Sequence, residues 1–281
     1  MNKGDKKTEG ANSDSGPLII GHRGASAHAP ENTHAAFELA LDDGADGIEF
    51  DVRLASDGVP YVFHDATLNR TVGIRGTTDS FASTALEKMS AGEWFNLRYP
   101  ALAQADYAME KIPTYAGVLQ QYARFKLYAE MKCEDVTRQP ALARAVVELI
   151  RKYNLAHRVI VKSFALDSLR EVKRLAPEIR TAALFGRSWP RPLLPAARIL
   201  AEAEACGADE ISLHRSLLRG ATVEEARRRG FEVLVWTVNS PASLRRLLRL
   251  NLRAIFTDYP GLMREALTKL RADGAARDQK G

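Results

Sequence analysis

The sequence predicts an α/β protein, a TIM (β/α)8 barrel with a small insertion after the strand of the second βα unit, and three observations carry the prediction. The chain has 281 residues, which suits one barrel of about 250 residues. Short apolar or β-branched runs alternate with amphipathic stretches along it, the pattern of parallel strands joined by crossover helices. Histidines and acids stand at the ends of several of those runs, where barrel enzymes keep their chemistry.

Eight strands can be placed in order: PLIIG (17–21), IEFDVRL (48–54), KLYAEMK (126–132), VIVKS (159–163), TAALF (181–185), EISLH (210–214), EVLVWTV (232–238) and AIFTD (254–258). Between them THAAFELALDDG, PALARAVVELIRKY and DSLREVKRLAP carry apolar residues at three- and four-residue spacing, the mark of helices with one buried face. Thr33 and Asp167 stand where helix N-caps belong, and Gly44, Gly207 and Gly230 where helices stop. One unit breaks the rhythm. After VPYVFHD (59–65) residues 66–112 show no crossover pattern before the helix-like PTYAGVLQQY (113–122). So long a segment is expected to be functional or separately folded, here as an insertion capping the C-terminal end of the barrel. Its bulky members Phe81, Trp94, Phe95 and Tyr99 are expected to form a small core of its own. The barrel should span 17–270, between a polar N-terminal tail (1–16) and a flexible C-terminal one (271–281).

Composition narrows the function classes. The chain is 46% hydrophobic, and 40 basic residues face 35 acidic ones for a net charge of +5, too modest an excess for a nucleic-acid partner. Arginines crowd into EEARRRG (224–230) and SLRRLLRLNLR (243–253), which read as solvated faces of amphipathic helices rather than as a phosphate or membrane patch. Cys133 and Cys206 have no CxxC partner, so neither a disulfide framework nor a zinc site is indicated. The N-terminus lacks the apolar core of a secretory signal and no run reaches the ~18 residues of a spanning helix, so a soluble, cytoplasmic protein without stable membrane anchoring is expected. The oligomeric state stays open.

Two carboxylates two apart on a strand, Glu49 and Asp51, point to one face while Ile48, Phe50 and Val52 point to the other. Such a pair repels unless a cation or proton intervenes, and oxygen-rich clusters suit Mg2+ or Ca2+. The next barrel strand adds Glu130, with Lys132 on its same face. An EF-hand over DDGADGIEFDVR fails, because Gly44 stands at the third loop position and Arg53 where a bidentate glutamate is needed. His22 and His64 can exchange protons near neutral pH, and Arg23 offers a planar fork matched to phosphate oxygens. His28, His34 and His157 have no evident partner, and His214 reads as structural.

The strings GHRG…PENT, GIEFDVRLASDGVPYVFHD, AEMK, VKSF and VWTVN, in that order over residues 17–266, closely resemble the glycerophosphodiester phosphodiesterase family. The resemblance implies a TIM barrel that hydrolyses a small-molecule glycerophosphodiester to glycerol 3-phosphate and an alcohol. It implies His22 and His64 as catalytic residues, and Glu49, Asp51 and Glu130 as ligands of one divalent cation, Mg2+ or Ca2+, with Mn2+ a third candidate. Arg23 and Lys132 would be phosphate contacts and Trp236 the aromatic beside the glycerol. A lysophospholipase D acting on lysophospholipids is the alternative implied by the same resemblance.

Overall fold

The computed structural model describes residues 16–186 and 194–278. Among them the strands β1 (Leu18–His22), β2 (Gly47–Leu54), β3 (Pro60–Val62), β4 (Lys126–Met131), β5 (Val159–Ser163), β6 (Arg180–Phe185), β7 (Glu210–His214), β8 (Glu232–Trp236) and β9 (Ala254–Thr257) form one sheet. Its order is β1-β9-β8-β7-β6-β5-β4-β2, and pairing of β1 with β2 closes it into an eight-stranded parallel barrel. The expected strands lie at their positions to within two residues. Most of the expected N-terminal tail lies outside the described residues.

The helices are α1 (His34–Asp42), α2 (Ser83–Leu86), α3 (Glu93–Arg98), α4 (Tyr115–Gln121), α5 (Gln139–Lys152), α6 (Leu166–Leu175), α7 (Ala196–Ala205), α8 (Gly220–Arg228), α9 (Pro241–Leu247) and α10 (Pro260–Asp278). The last continues past residue 270, so the segment expected as a flexible tail is helical through Asp278. Alternation along the strands sorts the side chains into two layers. Ile48, Phe50 and Val52 of β2 pack outward against helices, Phe50 meeting Phe37 of α1 and Tyr115 of α4 at ring-centroid distances of 5.9 and 6.0 Å. Ile20, Tyr128, Ile160, Leu234 and Phe256 fill the barrel interior. Each large apolar side chain so buried contributes roughly 1.5–3 kcal/mol. On α5 the buried face is Leu142, Ala143, Val146, Val147 and Ile150, the three- and four-residue spacing read from the sequence.

Local signals settle the helix ends. The Thr33 hydroxyl accepts from the amide of Ala36 as N-cap of α1, whereas the N-cap of α6 is Ala165 and not Asp167, which stands in the first turn and pairs with Arg170. An acid there still faces the positive end of the helix dipole. Gly44, Gly207 and Gly230 each stand just past a helix with φ of 83°, 68° and 87°, conformations that a side chain would strain. The arginines of α8 and α9 are exposed.

Strand β3 is not a barrel strand. It turns back antiparallel on β2, Val62 opposite Val52, so His64 follows the end of a hairpin strand rather than of a barrel strand. The long excursion leaves from there and re-enters beside its own exit, the Val62 amide donating to the Pro113 carbonyl at 2.8 Å. It divides the four aromatics expected to form its core. Phe81 packs with Tyr61, Phe63 and Leu86, and Phe95 is fully buried against Ala29, Ala36 and Tyr107. Trp94 and Tyr99 pack on Phe95, ring centroids 5.8 and 5.0 Å away, and also line the cleft at the mouth of the barrel.

At the opposite end of the barrel Glu210 is buried, 1% exposed. It stands in register with Glu232 of β8 and binds the Arg180 guanidinium at 2.9 Å, with the Tyr128 hydroxyl 3.5 Å away.

Candidate active site

The inward face of β2 carries Glu49 and Asp51, and β4 brings Glu130 level with Asp51 by strand register. These acids are 0%, 1% and 5% exposed, so none of them merely faces water. One carboxylate oxygen from each lies within 4.8 Å of the others. Lys162 of β5 reaches Glu49 at 2.9 Å and Glu130 at 3.4 Å. Lys132, just past β4, stands 2.6 Å from Glu130 and 3.4 Å from Asp51. Asn32 clasps Asp51, its side-chain amide donating to Oδ2 at 2.9 Å and its carbonyl accepting the Asp51 amide at 3.2 Å. Burial presses the Asp51 carboxyl toward neutrality, but Arg23, then Lys132 and His64, outweigh it and hold the acid well below the usual carboxylate range.

The GHRG turn sets Arg23 over this cluster. Arg23 has φ of 57°, a left-handed conformation costly for a residue with a side chain. Gly24 follows because a Cβ there would come within 2.5 Å of the Ala36 backbone. The turn aims the Arg23 amide at Glu49 Oε2, 3.0 Å away, and its Nη1 at Glu31, also 3.0 Å. Burial opposes the charge of Arg23, yet Asp51, Glu31 and Glu49 raise its pKa above the usual arginine range. Two buried polar atoms at the cluster make no hydrogen bond: Arg23 Nε, although Asp51 is 3.3 Å off, and Glu130 Oε1, although Lys132 is 2.6 Å off. An all-carboxylate set that includes the unsatisfied buried acceptor Glu130 Oε1 fits a hard divalent cation that takes oxygen ligands.

Each site histidine is held by an acid. His22 Nδ1 is 2.7 Å from Asp258 Oδ1, and His64 Nδ1 is 2.6 Å from Asp65 Oδ1. An ionised carboxylate only accepts, so Nδ1 carries the proton and Nε2 is left to react. His22 Nε2 stands 4.0 Å from Glu49 Oε2, facing the cluster. Asp258 is further bound by Asn239 and Ser26; against the opposing effect of burial, His22 and these donors hold its carboxyl below the ordinary range. Asp65 is likewise depressed, burial being outweighed by His64 and Arg70. Trp236 packs edge-on against Phe164 and His214, centroids 5.7 and 5.0 Å away. A cleft of about 980 Å³ opens outward from His22 and Arg23, walled by Trp94, Leu97 and Tyr99 of the excursion.

The structure therefore brings His22, His64, Glu49, Asp51, Glu130, Arg23 and Lys132 to one end of the barrel, with Trp236 at the neighbouring end of β8. His34, expected to be without a partner, shares a 2.9 Å hydrogen bond with the Tyr122 hydroxyl. His157 is exposed, and so is His28, whose ring meets Tyr259 edge-on at 5.4 Å. Lys162, Asp65, Asp258, Glu31, Asn32 and Arg70 were not singled out in the sequence. Lys162 lies two residues beyond the inward Ile160, an alternation that could have found it. Asp65 and Asp258 are strand-end acids of the kind sought elsewhere. Arg70 sits in a loop with no periodicity to reveal it.

A parallel barrel with a buried carboxylate cluster and two acid-held histidines at its C-terminal end has the build of a hydrolytic (β/α)8 enzyme using a divalent cation. The model of the glycerophosphoryl diester phosphodiesterase family matches residues 22–262. The chain is 33% identical over 247 residues to a glycerophosphodiester phosphodiesterase of Caldanaerobacter subterraneus subsp. tengcongensis, covering 86% of this chain and 94% of that one. It is 32% identical over 254 residues to one of Bacillus subtilis, covering 87% and 84%. A phosphodiesterase of Oleispira antarctica, solved in complex with the product sn-glycerol-3-phosphate, matches with a TM-score of 0.78 at 28% identity, over 90% of this chain and 97% of that one. The chain belongs to the glycerophosphoryl diester phosphodiesterase family and is an enzyme of that class. Among the described residues no helix is long and apolar enough to cross a membrane.

Proposed function

We propose that the chain hydrolyses water-soluble glycerophosphodiesters, such as glycerophosphocholine, to glycerol 3-phosphate and the free alcohol, with His22 and His64 as the acid–base pair. The observation that carries this reading is the matched pair of histidines, each pinned through Nδ1 to a carboxylate so that Nε2 is left to exchange protons, His22 facing Glu49 and His64 near enough to Asp51 to help hold its carboxyl down. One takes a proton from the attacking oxygen; the other returns one to the departing alcohol. Arg23 and Lys132 bind and orient the phosphate, and charge gathering on its oxygens is met by donors already fixed in place. Glu49, Asp51 and Glu130 would hold a divalent cation, Mg2+, Ca2+ or Mn2+, which supplies positive charge to the phosphoryl oxygens when bound. The Trp236 ring offers a flat apolar face to the glycerol carbons. The product in the Oleispira antarctica relative supports this substrate class.

A second reading, lysophospholipase D, is favoured by one observation: Trp94, Leu97 and Tyr99 turn apolar surface toward the cleft. Leu97 is 76% exposed and Tyr99 42%. Side chains so open enclose no channel, and an acyl chain gains affinity only where water is excluded. The small, soluble diester is therefore the substrate proposed. A panel of glycerophosphodiesters and lysophospholipids, each assayed with and without chelator, tests it. A higher kcat/KM for glycerophosphocholine than for monomeric lysophosphatidylcholine is expected, and the reverse order would transfer the assignment to lysophospholipase D.

A further inference from the structure

Above the barrel rim one arginine joins two loops that are far apart in sequence. Arg70, at the start of the excursion, uses two edges of its guanidinium. Nε and Nη2 bind Asp65 at 2.6 and 3.1 Å, while Nη1 and Nη2 bind Glu31 at 2.8 and 2.7 Å. Each of those carboxylates holds a second side chain. Asp65 holds His64 through Nδ1, and Glu31 holds Arg23 through Nη1 at 3.0 Å. The Arg70 Cζ also lies 5.7 Å from the centre of the Trp94 ring. The result is an unbroken chain, His64–Asp65–Arg70–Glu31–Arg23.

We propose that Arg70 is a positioning residue that sets the reacting histidine and the phosphate-binding arginine in register with each other; the proposal rests on the phosphodiesterase reading above. Four of the five guanidinium N–H groups are committed to the two carboxylates. The planar fork satisfies both acids at once, which the single ammonium of a lysine cannot do. Without it, Asp65 and Glu31 face each other as like charges with no cation between them. Both swing, and each carries a functional side chain with it. Displacements of a fraction of an ångström at reacting groups lower the rate without weakening the fold. The bland alternative is an ordinary surface ion pair, since the Arg70 side chain is 43% exposed. Such pairs hold little in place, and none would be expected to bind two carboxylates that each hold a functional side chain.

The test compares Arg70→Ala and Arg70→Lys with the wild type on glycerophosphocholine, measuring kcat, KM and melting temperature, with guanidinium added at millimolar concentration. Loss of a residue that orients groups in contact with substrate is expected to lower kcat about 10- to 100-fold, with the melting temperature close to wild type. Guanidinium should restore part of the kcat of Arg70→Ala and none of that of His64→Ala, and Arg70→Lys should remain impaired. Combining Arg70→Ala with Asp65→Asn should be no worse than the poorer single variant. Wild-type kcat in Arg70→Ala, losses that multiply in the double variant, or a fallen melting temperature without guanidinium rescue would each overturn the proposal. If the wild-type enzyme cleaves no glycerophosphodiester at all, the phosphodiesterase reading falls and this proposal with it.

Discussion

Replacing Glu210 by glutamine should make the barrel more stable in mild alkali and leave it nearly unchanged in mild acid. Glu210 is buried at the end of the barrel away from the cleft. Burial, followed at a distance by the like charge of Glu232, pushes its carboxyl up to about 7 from the ordinary 4.5, although Arg180 and Arg253 pull the other way. The folded-state pKa is thus above the unfolded one. Below pH 4.5 the acid is protonated in both states. As pH rises from there to about 7 the unfolded chain gives up this proton first, so folding loses stability through that window and none above it. The interval is about 2.5 pH units, and at about 1.4 kcal/mol per unit the loss approaches ~3 kcal/mol. The neutral amide fills the same space and escapes it. The Arg180 pair that the variant gives up is already counted in that folded-state pKa, and Arg180 keeps Glu232 at 2.7 Å. Urea denaturation of both proteins at pH 5 and pH 8 measures the effect. The stability difference between variant and wild type should grow toward pH 8 by up to ~3 kcal/mol. A difference equal at the two pH values would refute the argument.

Two further outcomes are expected. His22→Ala and His64→Ala should each abolish turnover while keeping the wild-type melting temperature, and the double variant should be little worse than either, because groups that act as a unit are not additive; unfolding of both single variants would make the histidines structural instead. Chelation should silence the enzyme and Mg2+, Mn2+ or Ca2+ revive it to different extents, since an all-oxygen site discriminates by size and geometry. In the same series Asp51→Asn should shrink the melting-temperature rise produced by added cation more than it changes KM. Full activity after exhaustive chelation would remove the cation from the reaction.

What the sequence revealed of this molecule depended on periodicity. The eight barrel strands were legible because each is a short apolar run, and Glu49, Asp51 and Glu130 because an acid among outward and inward alternating residues has only one face to occupy. The antiparallel course of β3 was not legible because three residues carry almost no period. The N-cap of α6 was misplaced because the helix begins at Leu166 after an alanine, with no side-chain cap to mark it. Two pairings at the site were hidden for a different reason. Asp258 lies 236 positions from His22, and Glu31 lies 39 from Arg70, and pairings of that range are fixed by barrel closure and loop packing rather than by neighbours in the chain. The excursion's aromatics show the same limit: composition counted four bulky residues but not which way each would turn.

The antiparallel hairpin of β2 and β3 also bears on how such an enzyme can change. The chain delivers Asp51, His64, Asp65 and Arg70 before its excursion is well begun, and it comes back at Pro113 hydrogen-bonded to the strand it left. The two ends of the intervening segment are therefore clamped together, and closing a longer or shorter loop between fixed ends costs only about 0.6 kcal/mol per doubling of its length. The stretch from about residue 74 to 112 behaves as a cassette. A graft that keeps Phe95, buried against Ala29 and Ala36, and Trp94 beneath Arg70 is expected to change the surface turned toward the cleft while the hairpin holds His64.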